Sequence, residues 1–176
     1  MKNNELFGVF AAQIFASTFE SFPISIRIPK EDMSALMSAQ TDTVNTERKV
    51  STLSGMQTLL AEAGVLSTEA AATAMAKLAA LNEELNGKKA EAKRIADVLE
   101  GTIFALTAEG FIREREPGFY QLTFKGLAHL NKSFGSGDGQ PSIAERILNA
   151  LNPTNFVGSL TSGTLISLVG RAIGGS

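Results

Sequence analysis

The stretch LTAEGFIREREPGFYQLTFKGLAHL, residues 106–130, constrains the fold more than any other part of the chain. It begins inside an apolar helical pattern that stops at Gly110, because glycine readily adopts the left-handed backbone that ends a helix. Alternating charged residues follow, and Pro117-Gly118 is typical of a tight turn. Thr123 then suits the N-cap of another helix. The pattern therefore predicts a helix, a two-stranded hairpin and a second helix in direct succession.

The N-terminal part of the chain is expected to form a buried helix, a strand and a short helix before a linker. Phe and Leu recur at helical spacing over residues 5–21, on a broad apolar face. Ile alternates with polar residues over residues 24–28, between two prolines, which is typical of a strand. Pro29 suits the first turn of a helix that reaches about residue 40. Residues 41–49 lack an apolar period and are therefore expected to form a linker.

Three helices are predicted between this linker and the hairpin. The first ends at Gly64, and the second runs from residue 67 or 68 to Asn86-Gly87, since glycine is favoured just beyond a helix C-terminus. The third occupies residues 89–109. The first two form a helical hairpin, and the alanines of the second permit close packing against a neighbouring helix.

The C-terminal part predicts a linker and a helical extension. Its linker, residues 135–141, is rich in glycine and serine. Ser142 and Glu145 have the spacing of a capping box that opens a helix ending by residue 152. A final segment places five apolar residues on one helical face: Leu165, Leu168, Val169, Ala172 and Ile173.

Composition argues against catalysis and predicts no cofactor and no metal. The chain has no cysteine, which excludes disulfides, thiolate nucleophiles and Cys-ligated metals. Its single histidine, His129, cannot complete a His-based metal site. The glycine-rich segment 135–139 lacks the Lys-Ser/Thr of a phosphate-binding loop.

The two ends of the chain predict a cytoplasmic protein. Glu5 follows a single early lysine, which is unlike the basic start of an export signal. The uncharged run over residues 147–170 is interrupted by Asn and Pro and falls short of the roughly 20 apolar residues that span a bilayer. Membrane association is therefore not expected.

Charge is distributed unevenly along the chain. The formal net charge is −2. Residues 1–85 carry six basic and ten acidic side chains, residues 86–132 carry eight basic and six acidic, and the remainder balance. The small positive excess therefore coincides with the predicted hairpin, and no general attraction to nucleic acid is expected from the whole chain.

The order of elements resembles a winged helix-turn-helix domain. The local pattern is closest to bacterial MarR and PadR-like regulators, in FALTAEGFIRERE (104–116) and YQLTFKGLAHL (120–130). The resemblance implies a mainly α, α+β winged-helix fold whose β-hairpin is the wing. The domain would occupy residues 1–134 with a helical insertion at 41–87, followed by the linker and a C-terminal extension at 142–176.

The resemblance also implies double-stranded DNA as a partner, with the long helix in the major groove and the wing on phosphates. Six basic residues are candidates for DNA contact. Four lie at the start of the long helix and two on one face of the hairpin strand: Lys88, Lys89, Lys93, Arg94, Arg113 and Arg115. A solvated two-sided strand with cross-strand pairing is the alternative for the last two. Asp97, Glu100 and Phe104 on the outer face of the helix disfavour base readout.

A protein partner is the alternative to DNA. Winged-helix regulators commonly dimerise through terminal helices, so the resemblance implies a homodimer. Candidate interface residues are an aromatic anchor and the apolar residues of the tail: Phe104, Leu165, Leu168, Val169 and Ile173. Packing within the chain itself is the other explanation for each. The sequence thus favours a non-catalytic, DNA-binding regulator-like dimer, with a protein-interaction module without DNA binding as the alternative.

Overall fold

The computed structural model describes residues 1–28, 30, 33–64, 67–132, 141–151, 167–171 and 173. This part of the chain is mainly helical with one small antiparallel sheet, as predicted. The elements are α1 (Asn3–Glu20), β1 (Ile26–Arg27), α2 (Ser34–Glu62), α3 (Thr68–Ala108), β2 (Ile112–Glu116), β3 (Phe119–Leu122), α4 (Phe124–Leu130) and α5 (Ile143–Leu151).

The chain divides into two compact units. One comprises Met1–Met33 and Asp97–Ser176 and is called the hairpin unit below, and the other comprises Ser34–Ala96 and is called the helical unit. The helical unit contains the predicted insertion, residues 41–87, and extends beyond it at both ends. Helix α3 begins in the helical unit and ends in the hairpin unit.

The core of the hairpin unit forms around α1. This helix packs against β3 and α5, and Phe10 and Phe15 on it are fully buried. Phe15 meets Phe111 edge to face, with ring centroids 5.9 Å apart. Burying large aromatic side chains contributes more to stability than burying any other residue type, so these rings dominate the core.

Helix α3 ends where the sequence predicts, at Gly110. Its φ is 74°, in the left-handed region. The amide of Phe111 donates to the carbonyl of Leu106 at 2.9 Å, and the amide of Gly110 donates to the carbonyl of Thr107 at 2.9 Å. This pair of bonds is a Schellman motif, which satisfies the last helical carbonyls and turns the chain directly into β2.

The sheet has the strand order β1-β3-β2, and all of its pairings are antiparallel. The predicted hairpin is confirmed: Arg113 on β2 pairs with Gln121 on β3, and Gly118 in the turn has a φ of 81°. A bulge lies between Glu114 and Glu116. The strand predicted at residues 24–28 forms over two residues only.

Helix α4 begins as predicted, and its first turn lies directly against the backbone of Phe111, the residue before β2. The amide of Gly126 donates to Oγ1 of Thr123 at 3.0 Å, which caps the helix. A Cβ at Gly126 would overlap the carbonyl oxygen of Phe111 and come within 2.8 Å of Cδ1 of Leu122. Only glycine therefore permits this approach.

The linker predicted at residues 41–49 is wrong, because α2 is continuous through it. The side chain of Thr46 is buried and its hydroxyl donates to the carbonyl of Asp42 at 3.0 Å. Nζ of Lys88 donates to Oγ1 of the same threonine at 2.9 Å. Polar contacts to α3 thus replace the apolar period that this part of α2 lacks.

The helix end predicted at Asn86-Gly87 is also wrong, because α3 continues through it. A glycine inside a helix costs only about 1 kcal/mol relative to alanine. The ion pair between Glu84 and Lys88 crosses this position at 2.8 Å, and Leu85 is buried. The predicted end of α2 is confirmed, since Gly64 has a φ of 66°.

The capping box that opens α5 is confirmed. The amide of Ser142 donates to Oε2 of Glu145 at 2.6 Å, and the amide of Glu145 donates to Oγ of Ser142 at 3.2 Å. The helix ends at Leu151. The predicted linker falls outside the described residues except for residue 141, as do Leu165 and Ala172 of the tail and Pro29 near the N-terminus.

Candidate nucleic-acid interface

The six basic residues proposed from the sequence lie in two different units. Lys88, Lys89, Lys93 and Arg94 are on α3 within the helical unit, whereas Arg113 and Arg115 are on β2 within the hairpin unit. The two groups differ in what surrounds them.

Three of the four candidate cations of the helical unit, Lys88, Lys89 and Arg94, are paired with carboxylates. Lys89 contacts Glu47 on α2 at 2.9 Å, and Arg94 contacts Glu91 at 2.6 Å. The hydrogen bond to Glu84 raises the pKa of Lys88, and the same bond lowers the pKa of Glu84. A phosphate would have to compete with a carboxylate already in place, so these side chains contribute less to anion binding than their number suggests.

The arginines of the hairpin converge on one neutral atom. Nε and Nη2 of Arg113 donate to Oε1 of Gln121 at 3.1 and 2.9 Å, and Nε of Arg115 donates to the same oxygen at 2.9 Å. Gln121 is 7% exposed, and its amide nitrogen donates to the carbonyl of Pro23. Both guanidinium groups therefore lie on one face of the hairpin, as strand alternation predicts.

Within the described part of the chain, no carboxylate lies within 4 Å of either hairpin guanidinium. Glu114 is on the opposite face, where its Oε1 accepts from the amide of Gly118 at 2.7 Å and holds the turn. Burial raises the pKa of Tyr120 on that face, and the nearby Glu114 raises it further. The two faces of the hairpin thus differ in charge: one is cationic, the other acidic.

A groove of about 410 Å³ lies beside the hairpin arginines. The rings of Phe22 and Phe124 meet edge to face there, with centroids 5.8 Å apart, and Phe124 is 79% exposed. Nζ of Lys125 lies 4.7 Å from the centroid of the Phe111 ring and donates to the carbonyl of Glu109. The lining residues are Phe22, Pro23, Gly110, Arg113, Gln121, Leu122, Thr123, Phe124 and Lys125, and the space is called the hairpin groove below.

Four residues of this site were not predicted from the sequence: Phe22, Gln121, Phe124 and Lys125. They come from the chain after α1, from β3 and from the first turn of α4. The sequence carries one signal for them. Phe124 and Lys125 stand side by side in the first turn of a short helix, which places an aromatic ring next to a cation.

The outer face of α3 in the hairpin unit is acidic and apolar, as predicted. Asp97, Glu100 and Phe104 are exposed, and Phe104 is 75% exposed. Glu100 forms an ion pair with Lys30. Residues 97–108 include no Arg, Lys, Asn or Gln, which are the side chains that read base edges by donating hydrogen bonds.

The residues proposed for a protein interface differ in how far their side chains are exposed. Leu168 and Val169 are buried by this chain itself, so they cannot contact a partner while packed in this way. Ile173 is half-buried, and Leu165 lies outside the described residues. Phe104 is the one candidate of this group with a largely exposed side chain among the residues that the structure describes.

Comparison with protein-family models, with curated proteins and with solved structures gave no match to this chain. Over the described ranges, no helix is long and apolar enough to cross a membrane. The same residues gather no group of three His, Cys, Asp or Glu side chains that could hold a metal ion.

Proposed function

We propose that this chain is a non-catalytic winged-helix protein that binds double-stranded DNA through its hairpin. The order of α1, β1, α2, the end of α3, β2, β3 and α4 supports the fold, as does β1 pairing with β3. In the proposed winged-helix fold, the hairpin formed by β2 and β3 is the wing. Fold alone does not determine function, so the proposal depends on the side chains of the hairpin.

The observation that carries the proposal is the pair Arg113 and Arg115, neither of which has a carboxylate within 4 Å among the residues that the structure describes. Gln121 accepts two of the five N–H donors of Arg113 and one of those of Arg115, so most donors on both remain available. The planar guanidinium matches the geometry of a phosphate. Duplex DNA carries one negative charge per ~1.7 Å of axis, which suits two cations held close together on a rigid strand.

The contacts are to phosphates and not to base edges. The exposed face of α3 over residues 97–108 carries Asp97, Glu100 and Phe104 and offers no Arg, Lys, Asn or Gln to read base edges. Binding is therefore expected to be insensitive to sequence and strongly weakened by salt. Each phosphate neutralised contributes about 0.9 to the slope of log affinity against log salt concentration, so two arginines account for roughly 2.

Fluorescence anisotropy with a labelled 20-base-pair duplex tests the proposal at several salt concentrations. The intact chain should bind at low salt and release the duplex as salt is added. Arg113→Ala with Arg115→Ala should weaken binding to two unrelated duplex sequences equally. Absence of binding even at the lowest salt concentration would exclude the DNA function.

A second function, protein assembly without DNA, is favoured by exposed apolar side chains. Phe104 is one of them. Met56, Leu59 and Leu60 on α2 are also exposed, and their spacing places them on one face of that helix. Exposed apolar stripes of this kind commonly mark protein contacts, here with a second copy or another partner.

Light scattering over a range of protein concentrations separates the two functions. A homodimer that dissociates on Met56→Lys with Leu59→Lys supports assembly through α2. A monomer at every concentration would exclude a homodimer and leave the apolar stripe to a different partner or to no contact.

A further inference from the structure

Beside the hairpin arginines, the hairpin groove presents an aromatic surface that binding to a duplex does not use. Phe124 contacts Phe22 edge to face, at an interplanar angle of 74°, and is otherwise largely exposed. It is not part of the core, which Phe10, Phe15 and Phe111 fill. Its ring is therefore available to a flat partner.

The groove is also cationic. Arg113 and Lys125 are among its lining residues, none of which is acidic. Arg115 adjoins them because it shares the carbonyl oxygen of Gln121 with Arg113. The groove therefore combines a phenylalanine pair with cations that have no counter-charge among its lining residues, which favours a ligand that is both aromatic and anionic.

The size of the groove limits the occupant. About 410 Å³ falls within the range of sites that hold small molecules, roughly 300–1,000 Å³. A nucleotide in a single strand has a flat base and a phosphate on either side of it. Proteins that bind single strands combine aromatic side chains, on which bases stack, with a positively charged groove that follows the backbone.

We propose that the hairpin groove takes an unpaired nucleotide of a strand that continues from the bound duplex. The base stacks on Phe124, while Arg113 and Arg115 hold the phosphates at the junction. This inference rests on the proposed duplex binding and narrows its substrate class to duplex nucleic acid with a single-stranded end. Stacking on phenylalanine is tolerant of base identity, so the preference is for the unpaired state and not for a sequence.

The test compares two probes that share one 20-base-pair duplex, one blunt and one with a five-nucleotide thymidine overhang, by fluorescence anisotropy. The overhang should tighten binding by about fivefold to about a hundredfold, which is the range that one stacked base supports. Placing the overhang at the 3′ or the 5′ end shows the direction of the strand. A uridine overhang shows whether the strand is DNA or RNA.

Phe124→Ala should abolish the preference for the overhang probe, so that the overhang and blunt probes bind the variant with equal affinity. Phe104→Ala is the matched control, because its ring is similarly exposed in the same unit but lies on α3, and it should keep the preference. Phe124→Trp should also keep it, and circular dichroism establishes that each variant is folded. If Phe124→Ala proves unfolded, Phe124→Leu serves in its place.

The outcomes distinguish binding of an unpaired nucleotide in the hairpin groove from the duplex binding on which this inference rests. If the blunt duplex binds and the overhang adds nothing, the groove inference is overturned and duplex binding stands. If neither probe binds, duplex binding fails and the inference fails with it. A preference that survives Phe124→Ala in a folded protein would likewise overturn the groove as its source.

Discussion

The helical unit and the hairpin unit hold their basic residues in opposite ways. On the helical part of α3, Lys88, Lys89 and Arg94 contact carboxylates at 2.6 to 2.9 Å. On β2, Arg113 and Arg115 share a neutral amide oxygen. The helical unit has four of the six candidate cations, but the two on the hairpin are those with no carboxylate within 4 Å in the described part of the chain. This difference in pairing is the reason why the hairpin arginines, and not the more numerous cations of the helical unit, are proposed to contact phosphate.

The two units also differ in packing. The hairpin unit buries Phe10, Phe15 and Phe111 completely. Over its described residues, the helical unit buries four side chains, Leu36, Thr46, Leu85 and Ile95, and leaves Met56 and Leu59 exposed. Adding a single methyl group should therefore lower the stability of the fold in the hairpin unit and be tolerated in the helical unit.

The largest effect is expected from Gly126→Ala in the hairpin unit. The added methyl group would overlap the carbonyl of Phe111, so α4 must move away from Phe111. Overpacking of this kind costs about 1–3 kcal/mol, which corresponds to roughly 2–4 °C in Tm for each kcal/mol in a chain of this size. Thermal unfolding followed by circular dichroism measures it. An unchanged Tm would mean that α4 does not approach Phe111 as closely as described.

The same substitution in the helical unit, Gly87→Ala, should have the opposite sign. Nothing lies within 4 Å of a Cβ at this position in α3. Alanine inside a helix is favoured over glycine by about 1 kcal/mol, so the free energy of unfolding should rise by up to that amount. Denaturation in urea measures the change. A loss of stability would show that α3 is interrupted at this residue.

The smallest effect is expected from Glu84→Gln, which removes the partner of Lys88 in the helical unit. The pKa of Glu84 is lowered in the folded chain by its hydrogen bond to Lys88. The pair therefore stabilises the fold above the unfolded pKa of Glu84, and this contribution is lost as pH falls through the lower folded value. Glu84→Gln should lower Tm slightly at pH 7 and hardly at all at pH 3, since Glu84 is exposed and Lys88 is only half-buried. An equal loss at both pH values would contradict the ion pair.

Local features of the fold could be predicted from the sequence. Gly110, Gly118 and the caps at Thr123 and Ser142 depend on bonds between residues a few positions apart. Such contacts are encoded in short stretches of sequence, so the helix end, the hairpin turn and the two helix starts were correct.

Features that depend on distant contacts could not be predicted. Residues 41–49 lack an apolar period, yet α2 continues through them because Thr46 and Glu47 contact Lys88 and Lys89, 42 residues along the chain. The hairpin groove likewise gathers residues from three segments. For the same reason the sequence offered six basic residues without showing which of them face carboxylates.

The most direct measurement compares two charge-matched double variants by the salt dependence of their duplex binding. Arg113→Ala with Arg115→Ala removes two charges from the hairpin, and Lys89→Ala with Arg94→Ala removes two from the helical unit. The hairpin variant should lose most of its affinity and reduce the salt slope by about 2, whereas the helical variant should keep the slope of the intact chain. Equal losses in both, or a larger loss in the helical variant, would contradict the assignment of DNA contact to the hairpin arginines.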